Sequence, residues 1–290
     1  MDIKKVFVLG AGTMGNGIAQ VCAQKGISVL MCDMNQEILQ KAVKNIQWSV
    51  SKFVEKGKIS DTTDAVMGRI QTSTSYDGAA DADLVIEAVF EKVGVKHEVL
   101  KKVDAVVGDK TIVASNTSAI PITEIAAAVT RPENFIGLHF FNPVPMMEAV
   151  EVIRGIASSE EAFQYGADFV RYIGKEPIMV NRDIAGFILN RINMLSNMEA
   201  MRLVEQGVAT PEDIDKGMRL AFGRRMGPFE TSDLVGLEVQ LMAYNNTYEE
   251  EKDPRFYPPS ILRRKVLAGH WGRKSGRGWY EYNPDGSRKK

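Results

Sequence analysis

The sequence predicts a doubly wound α/β sheet with an inserted helical hairpin, followed by an all-helical C-terminal domain. Three observations carry this expectation. Short all-apolar runs alternate with helical periods through the first half of the chain, the first run opens directly into a Gly-rich turn and a helix, and from Ala185 onward only helical periods and turns remain. Such alternation buries a mostly parallel sheet beneath helices on both faces.

Val6 to Leu9 is a short apolar run, as expected of a strand buried on both faces. GAGTMGNGIAQVCAQKG then predicts a Gly-rich turn and a helix ending at Gly26, and Ile27 to Met31 predicts the next strand, with Asp33 just past its end. Residues 36–59 keep a helical period longer than a crossover needs, and a shorter helix is expected near 61–68. Together these form the inserted hairpin. A strand near Ile70 to Thr72 follows, after which the alternation resumes with strands at 83–89, 111–115 and 135–139 and helices at 94–106 and 121–128. EAVEVI, residues 148–153, has no helix before it and predicts an antiparallel return, with PIMV at 177–180 as one more strand; no element is assigned between these two. The remaining expected helices cover 185–206, 211–221, 228–247 and 258–268, so residues 1–184 form one expected domain and 185–290 the other.

Bulk composition excludes several classes. The 290 residues hold 36 basic and 37 acidic side chains, a net charge of −1, which argues against a nucleic-acid partner. No apolar run approaches the roughly 18 residues that span a bilayer, so no membrane role is expected. The N-terminal MDIKKVFVLG leaves no room for a signal-peptide core, and the two cysteines, Cys22 and Cys32, read as small core side chains in a reducing compartment. The cytosol is the expected location.

Gly10, Ala11, Gly12, Thr13, Met14 and Gly15 spell GxGxxG between a strand and a helix, with acidic Asp33 about 20 residues on. Gly10 allows the tight turn, Gly12 the approach of a pyrophosphate to backbone N–H groups, and Gly15 the packing of helix on strand. The helix N-terminus offers its orphan donors to the anion. Asp33 accepts from ribose hydroxyls and repels a 2′-phosphate, so NAD is expected over NADP. A Gly-rich turn kept for packing, with Asp33 as a surface cap, is the blander reading.

FIGLHFFNPVP, residues 135–145, places His139 at the C-terminal end of a strand, where open α/β sheets bind ligands. A lone histidine is ordinarily structural. Here Glu151 lies on the expected antiparallel return, where a carboxylate fixes the imidazole tautomer and raises its basicity. Ser115 to Ser118, SNTS, ends the preceding strand, and Ser118 can bond a substrate oxygen; its alternative role is to cap the helix at Pro121. Asn142 can bridge cofactor, histidine or backbone, and Phe140 and Phe141 read as core packing. His97 reads as a surface residue of a charged helix, and no residue spacing suggests a metal site. The lysines at 52, 56 and 58 suit the phosphates of a nucleotide as well as they suit a solvated helix face.

GAGTMG with Asp33, SNTS, HFFNP with a glutamate twelve residues beyond its histidine, GFILNR and MGPFETSDLVGL occur in an order and spacing that resembles the short-chain L-3-hydroxyacyl-CoA dehydrogenases, the bacterial 3-hydroxybutyryl-CoA dehydrogenases most of all. The resemblance runs to the closing GRKSGRGWYEY. It departs only in details such as SNTSA for SNTSS and GLE for GLD, neither on a residue assigned to chemistry.

This resemblance implies a Rossmann-type NAD domain, a helical domain used for dimerisation, and hydride exchange between L-3-hydroxyacyl-CoA and 3-ketoacyl-CoA. It assigns His139 as catalytic base, Glu151 as its partner, and Ser118 and Asn190 as the residues holding substrate oxygen and histidine. Glu91, Lys96, Asn116 and Asn142 match cofactor-contact positions. Ser49 and Lys56 match CoA-contact positions on the hairpin, where Lys52 and Lys58 serve as well. Two other readings stay open: a dehydrogenase of free hydroxy acids, which would need no CoA lysines, and a nucleotide-binding protein without turnover.

Overall fold

β1 (Lys5–Leu9) is almost wholly buried from Val6 to Leu9, as a central parallel strand must be. The computed structural model describes residues 3–289 and places β1 in an eight-stranded sheet of order β3-β2-β1-β4-β5-β6-β7-β8. The other strands are β2 (Ser28–Cys32), β3 (Ile70–Ser73), β4 (Leu84–Glu87), β5 (Ile112–Ser115), β6 (Phe135–Phe140), β7 (Ala149–Arg154) and β8 (Glu176–Val180). Strands β1 to β6 pair in parallel, β7 returns antiparallel to β6, and β8 runs parallel to β7. The chain leaves β1 toward β2 on one side and resumes with β4 on the other. That reversal of strand order opens a crevice at the strand C-termini.

Helix α1 (Thr13–Gln24) buries Ile18, Ala19, Cys22 and Ala23 against the sheet, and Gly26 follows it in the left-handed region. α2 (Gln36–Glu55) begins at Asn35, whose side chain accepts from the Glu37 and Ile38 amides, and buries Leu39, Ala42, Ile46 and Val50 along one stripe. It ends at Glu55 rather than at residue 59, because Gly57 turns the chain at φ +63°. The second arm of the hairpin, α3 (Thr63–Met67), is a single capped turn.

The other helices of this part are α4 (Val93–Asp104), α5 (Ile122–Ala126) and α6 (Glu160–Tyr172). Helix α6 fills the stretch to which the sequence reading gave no element. Ser159 caps it, Glu160 and Glu161 occupy its first turn, and Gly166 lets it lie on β6, where a Cβ would stand 2.5 Å from the Ile136 side chain. With these helices the sheet forms one unit that ends at Phe187.

The second unit begins at Ile188 and is helical: α7 (Leu189–Glu205), α8 (Pro211–Phe222), α9 (Pro228–Val235), α10 (Leu237–Glu251) and α11 (Ser260–Leu267). Helix α7 starts four residues later than its apolar period suggests, since Gly186 and Phe187 both take positive φ. The single helix expected over 228–247 is two, broken at Gly236 with φ +104°. Two buried aspartates tie this unit together. Asp215 accepts from the Phe229 and Glu230 amides and the Tyr280 hydroxyl, and Asp233 from the Trp279 and Tyr280 amides and the Tyr282 hydroxyl.

Candidate active site

The Gly-rich turn is shaped by what cannot fit beside it. Gly10 has φ +102°, and a Cβ there would lie 2.6 Å from the Ala88 carbonyl; a Cβ on Gly15 would lie 1.8 Å from the Gly10 carbonyl. Nothing lies within 4 Å of a Cβ placed on Gly12, so the space over that residue is open. Helix α1 has no side-chain cap and no acidic residue in its first turn, which leaves its N-terminus available to an anion.

Asp33 accepts from the Ala11 amide at 2.9 Å and from the Asn35 amide at 3.1 Å, so its carboxylate is fixed at the lip of the turn. A cavity of about 460 Å³ continues from there, lined by Gly10, Gly12, Thr13, Met14, Asp33 and Tyr76 among others. These residues fit the adenosine half of NAD, with a glycine cradle for the pyrophosphate and an acidic acceptor for the ribose.

Across the switch point, the C-terminal ends of β4, β5 and β6 carry the second half of the site. His139 faces Glu151 directly in the antiparallel β6–β7 ladder, with Nδ1 2.7 Å from the carboxylate. Glu151 is 0% exposed and His139 5%. A carboxylate only accepts, so Nδ1 carries the proton of this bond, and in the neutral imidazole Nε2 then keeps its lone pair. Phe141 and Phe187 flank the imidazole, with ring centroids 4.5 and 5.6 Å away. Phe140 is core, as expected, but Phe141 is half-buried and forms a wall of the histidine site, which corrects its reading as packing. Such apolar walls strengthen the attraction of the carboxylate for the ring whenever it is protonated.

The SNTS turn lies beside them. Asn116 accepts from the Phe140 amide at 2.9 Å, tying the turn to the histidine strand. Ser118 does not cap a helix, since α5 begins after Pro121 with no side-chain cap. Its amide and hydroxyl instead approach Glu91 at 2.8 and 3.4 Å, and Thr117 donates its hydroxyl to the same oxygen at 2.6 Å. Partial burial works to raise the Glu91 carboxyl, but the Lys96 ammonium 3.0 Å away and the Thr117 and Ser118 donors outweigh it and hold the group below the usual carboxylate range.

Lys96 is itself buried, bonded also to both oxygens of Glu87 at 2.8 and 3.0 Å. The sequence reading missed Glu87. The signal was one carboxylate inside LVIE, a run that a two-sided sheet buries completely.

The remaining expected residues fall on turns and helices. Asn142 is exposed on the turn after β6. Asn190 lies in the first turn of α7, in the second unit. Ser49 and Lys52 lie in the last two turns of α2, Lys52 paired with Glu55 at 2.7 Å, and Lys56 follows the helix end. Lys58 lines a separate cavity of about 600 Å³ together with Phe53, Lys25 and Lys175. His97 is half-buried rather than on the surface, its Nε2 2.9 Å from the Glu124 carbonyl. No cluster of potential metal ligands occurs among the described residues, and no helix there is long and apolar enough to cross a membrane.

Comparison with known proteins gives a consistent result over both units. Residues 5–184 match the family model described as 3-hydroxyacyl-CoA dehydrogenase, NAD binding domain, and residues 186–282 its C-terminal domain. A probable 3-hydroxybutyryl-CoA dehydrogenase of Deinococcus radiodurans is 44% identical over 96% of this chain and all of that one. The mitochondrial hydroxyacyl-coenzyme A dehydrogenase of Homo sapiens is 41% identical over 97% of this chain and 91% of its own length. The crystal structure of (S)-3-hydroxybutyryl-CoA dehydrogenase from Ralstonia eutropha superposes with a TM-score of 0.94 at 41% identity, covering 97% of this chain and 100% of that one.

Proposed function

The chain belongs to the 3-hydroxyacyl-CoA dehydrogenase family and is an NAD-binding oxidoreductase, and from that premise we propose that it interconverts L-3-hydroxyacyl-CoA and 3-ketoacyl-CoA with His139 as general base and Glu151 as its partner. The proposed pair is 3-hydroxybutyryl-CoA and acetoacetyl-CoA, after the relatives' names. The observation that carries the reading is the buried 2.7 Å contact between His139 Nδ1 and Glu151, which leaves Nε2 free to accept a proton.

NAD, when bound, supplies the hydride chemistry at C3 of the substrate. In the oxidation direction His139 Nε2 takes the proton of the 3-hydroxyl, and the imidazolium that forms is stabilised by the Glu151 carboxylate. In reduction the same nitrogen returns the proton to the developing alkoxide. Ser118 holds the reacting oxygen, with Asn190 assigned to that oxygen and the histidine. Asp33 and the Gly10–Gly15 turn hold the adenosine and pyrophosphate, and Glu91, Lys96, Asn116 and Asn142 serve the nicotinamide side. Ser49 and Lys56 or Lys52 meet the CoA moiety. We also infer a homodimer formed through the helical unit, in a reducing, cytoplasmic setting that suits two buried free thiols.

The test follows NADH absorbance with acetoacetyl-CoA and with free acetoacetate. Rapid decay with the CoA ester alone is expected, and His139→Gln should lower kcat by about 10²–10⁴-fold. Equal rates with the free acid would replace the reading by a hydroxy-acid dehydrogenase, and an unchanged kcat in His139→Gln would remove the base.

A further inference from the structure

We propose that Glu87 is a positioning residue for the Ser118 hydroxyl, acting through a Glu87–Lys96–Glu91 chain that suspends the Ser115–Ser118 turn from two carboxylates. The proposal rests on the reading of Ser118 as the residue that holds the substrate oxygen.

Glu87 ends β4 and is 0% exposed, in a strand buried at every position. A carboxylate there costs several kcal/mol unless it is paired and fully bonded. It accepts from the Val89 amide at 2.7 Å, from Lys96 on both oxygens, and from the Ser115 hydroxyl at 2.5 Å. Lys96 passes the connection to Glu91, 3.0 Å away. Glu91 then gathers the rest of the turn, from the Thr117 hydroxyl and the Ser118 and Ala119 amides. Ser115, Thr117, Ser118 and Ala119 therefore each bond a carboxylate of the chain Glu87–Lys96–Glu91.

Packing alone does not account for this arrangement. Replacing a buried ion pair by apolar side chains is often neutral or stabilising, so a buried carboxylate and ammonium are a poor way to fill a core. What they supply is direction. The Ser118 amide is held tightly at 2.8 Å, whereas its hydroxyl is only 3.4 Å from the same Glu91 oxygen. The backbone is fixed and the hydroxyl keeps its bonding capacity for a ligand. Glu91 retains 39% exposure of its side chain while Lys96 and Glu87 are closed off. Charge placed in the core is thus delivered to the turn at the edge of the site.

The test is a double-mutant cycle between Glu87→Gln/Lys96→Met and Ser118→Ala, read as kcat and KM in acetoacetyl-CoA reduction by the full-length protein. Ser118→Ala alone should lower kcat by about 10²-fold, as loss of one oriented donor does. With NADH saturating, the Glu87/Lys96 variant should lower kcat by about 10-fold or more, with KM for acetoacetyl-CoA changed less than about 3-fold, and adding Ser118→Ala to it should cost far less than it costs the wild type. Losses that multiply, or an undiminished kcat in the Glu87/Lys96 variant, would overturn the proposal. A harmless Ser118→Ala would overturn the reading of Ser118 instead. If the Glu87/Lys96 variant shows no cooperative thermal transition, Glu87→Gln alone takes its place in the same cycle, with the same non-additivity expected and multiplying losses again overturning the proposal.

Discussion

Glu91 shows how much one side chain can hold. Its carboxylate is the meeting point of Lys96, Thr117 and Ser118, and those contacts keep it ionised against the effect of burial. The sign of its pH dependence follows. A carboxyl whose folded value is depressed contributes its full stability above the ordinary value of 4.5, and that contribution disappears as the pH falls through the lower, folded value. The difference in Tm between wild type and Glu91→Gln should therefore be constant above about pH 5 and shrink as the solution is acidified further. Calorimetry across that range checks it; a difference that grows on acidification would contradict the assigned charge. His139 and Glu151 were legible in the sequence because two strands separated by a proline-rich turn imply an antiparallel return. Glu87 was not, since a single acidic residue at a strand end has no spacing partner in sequence and its ammonium comes from the next helix.

At the scale of elements, the strands and the Gly-rich turn were readable because buried parallel strands are short apolar runs and a tight turn needs glycine where φ is positive. The failures have a common cause. A helical period continues through 228–247, so nothing in periodicity reveals that Gly236 stands at φ +104° and divides α9 from α10. The same conformation gives a directional test. Gly236→Ala should lose about 1–3 kcal/mol, because a Cβ is strained at that φ and would also stand 3.1 Å from the Glu238 carboxylate. Gly217→Ala, inside α8 with nothing within 4 Å of the added Cβ, should instead gain about 0.5–1 kcal/mol. Chemical denaturation of the two variants beside wild type measures both signs, and equal effects would remove the assigned role of Gly236. Helix α6 was overlooked although its signals were present, a serine cap followed by two glutamates and an amphipathic stripe.

For the whole molecule, each unit carries its own core, one around the sheet and one around Met198, Phe229, Tyr244 and Phe256. On the helical unit, Leu220 and Phe222 of α8 remain 78% and 74% exposed, and Leu234 and Met242 are exposed on α9 and α10. Side chains of this size in water suit the proposed homodimer. Leu220→Lys with Phe222→Asp should move the protein from dimer to monomer in sedimentation velocity; an unchanged sedimentation coefficient would place the subunit contact elsewhere. The exposed apolar residues of α8, α9 and α10 were the part least legible in sequence, because such residues look like core until the fold says which face each occupies. The rung that sets His139 opposite Glu151 has a further consequence, for exchange with solvent deuterium. On one side β8 pairs with Glu151 itself through Ile178, while on the other β5 pairs with β6 only as far as Gly137. The contact between His139 and Glu151 therefore lasts as long as the end of the β6–β7 ladder stays closed, which the exchange of the amides there reports.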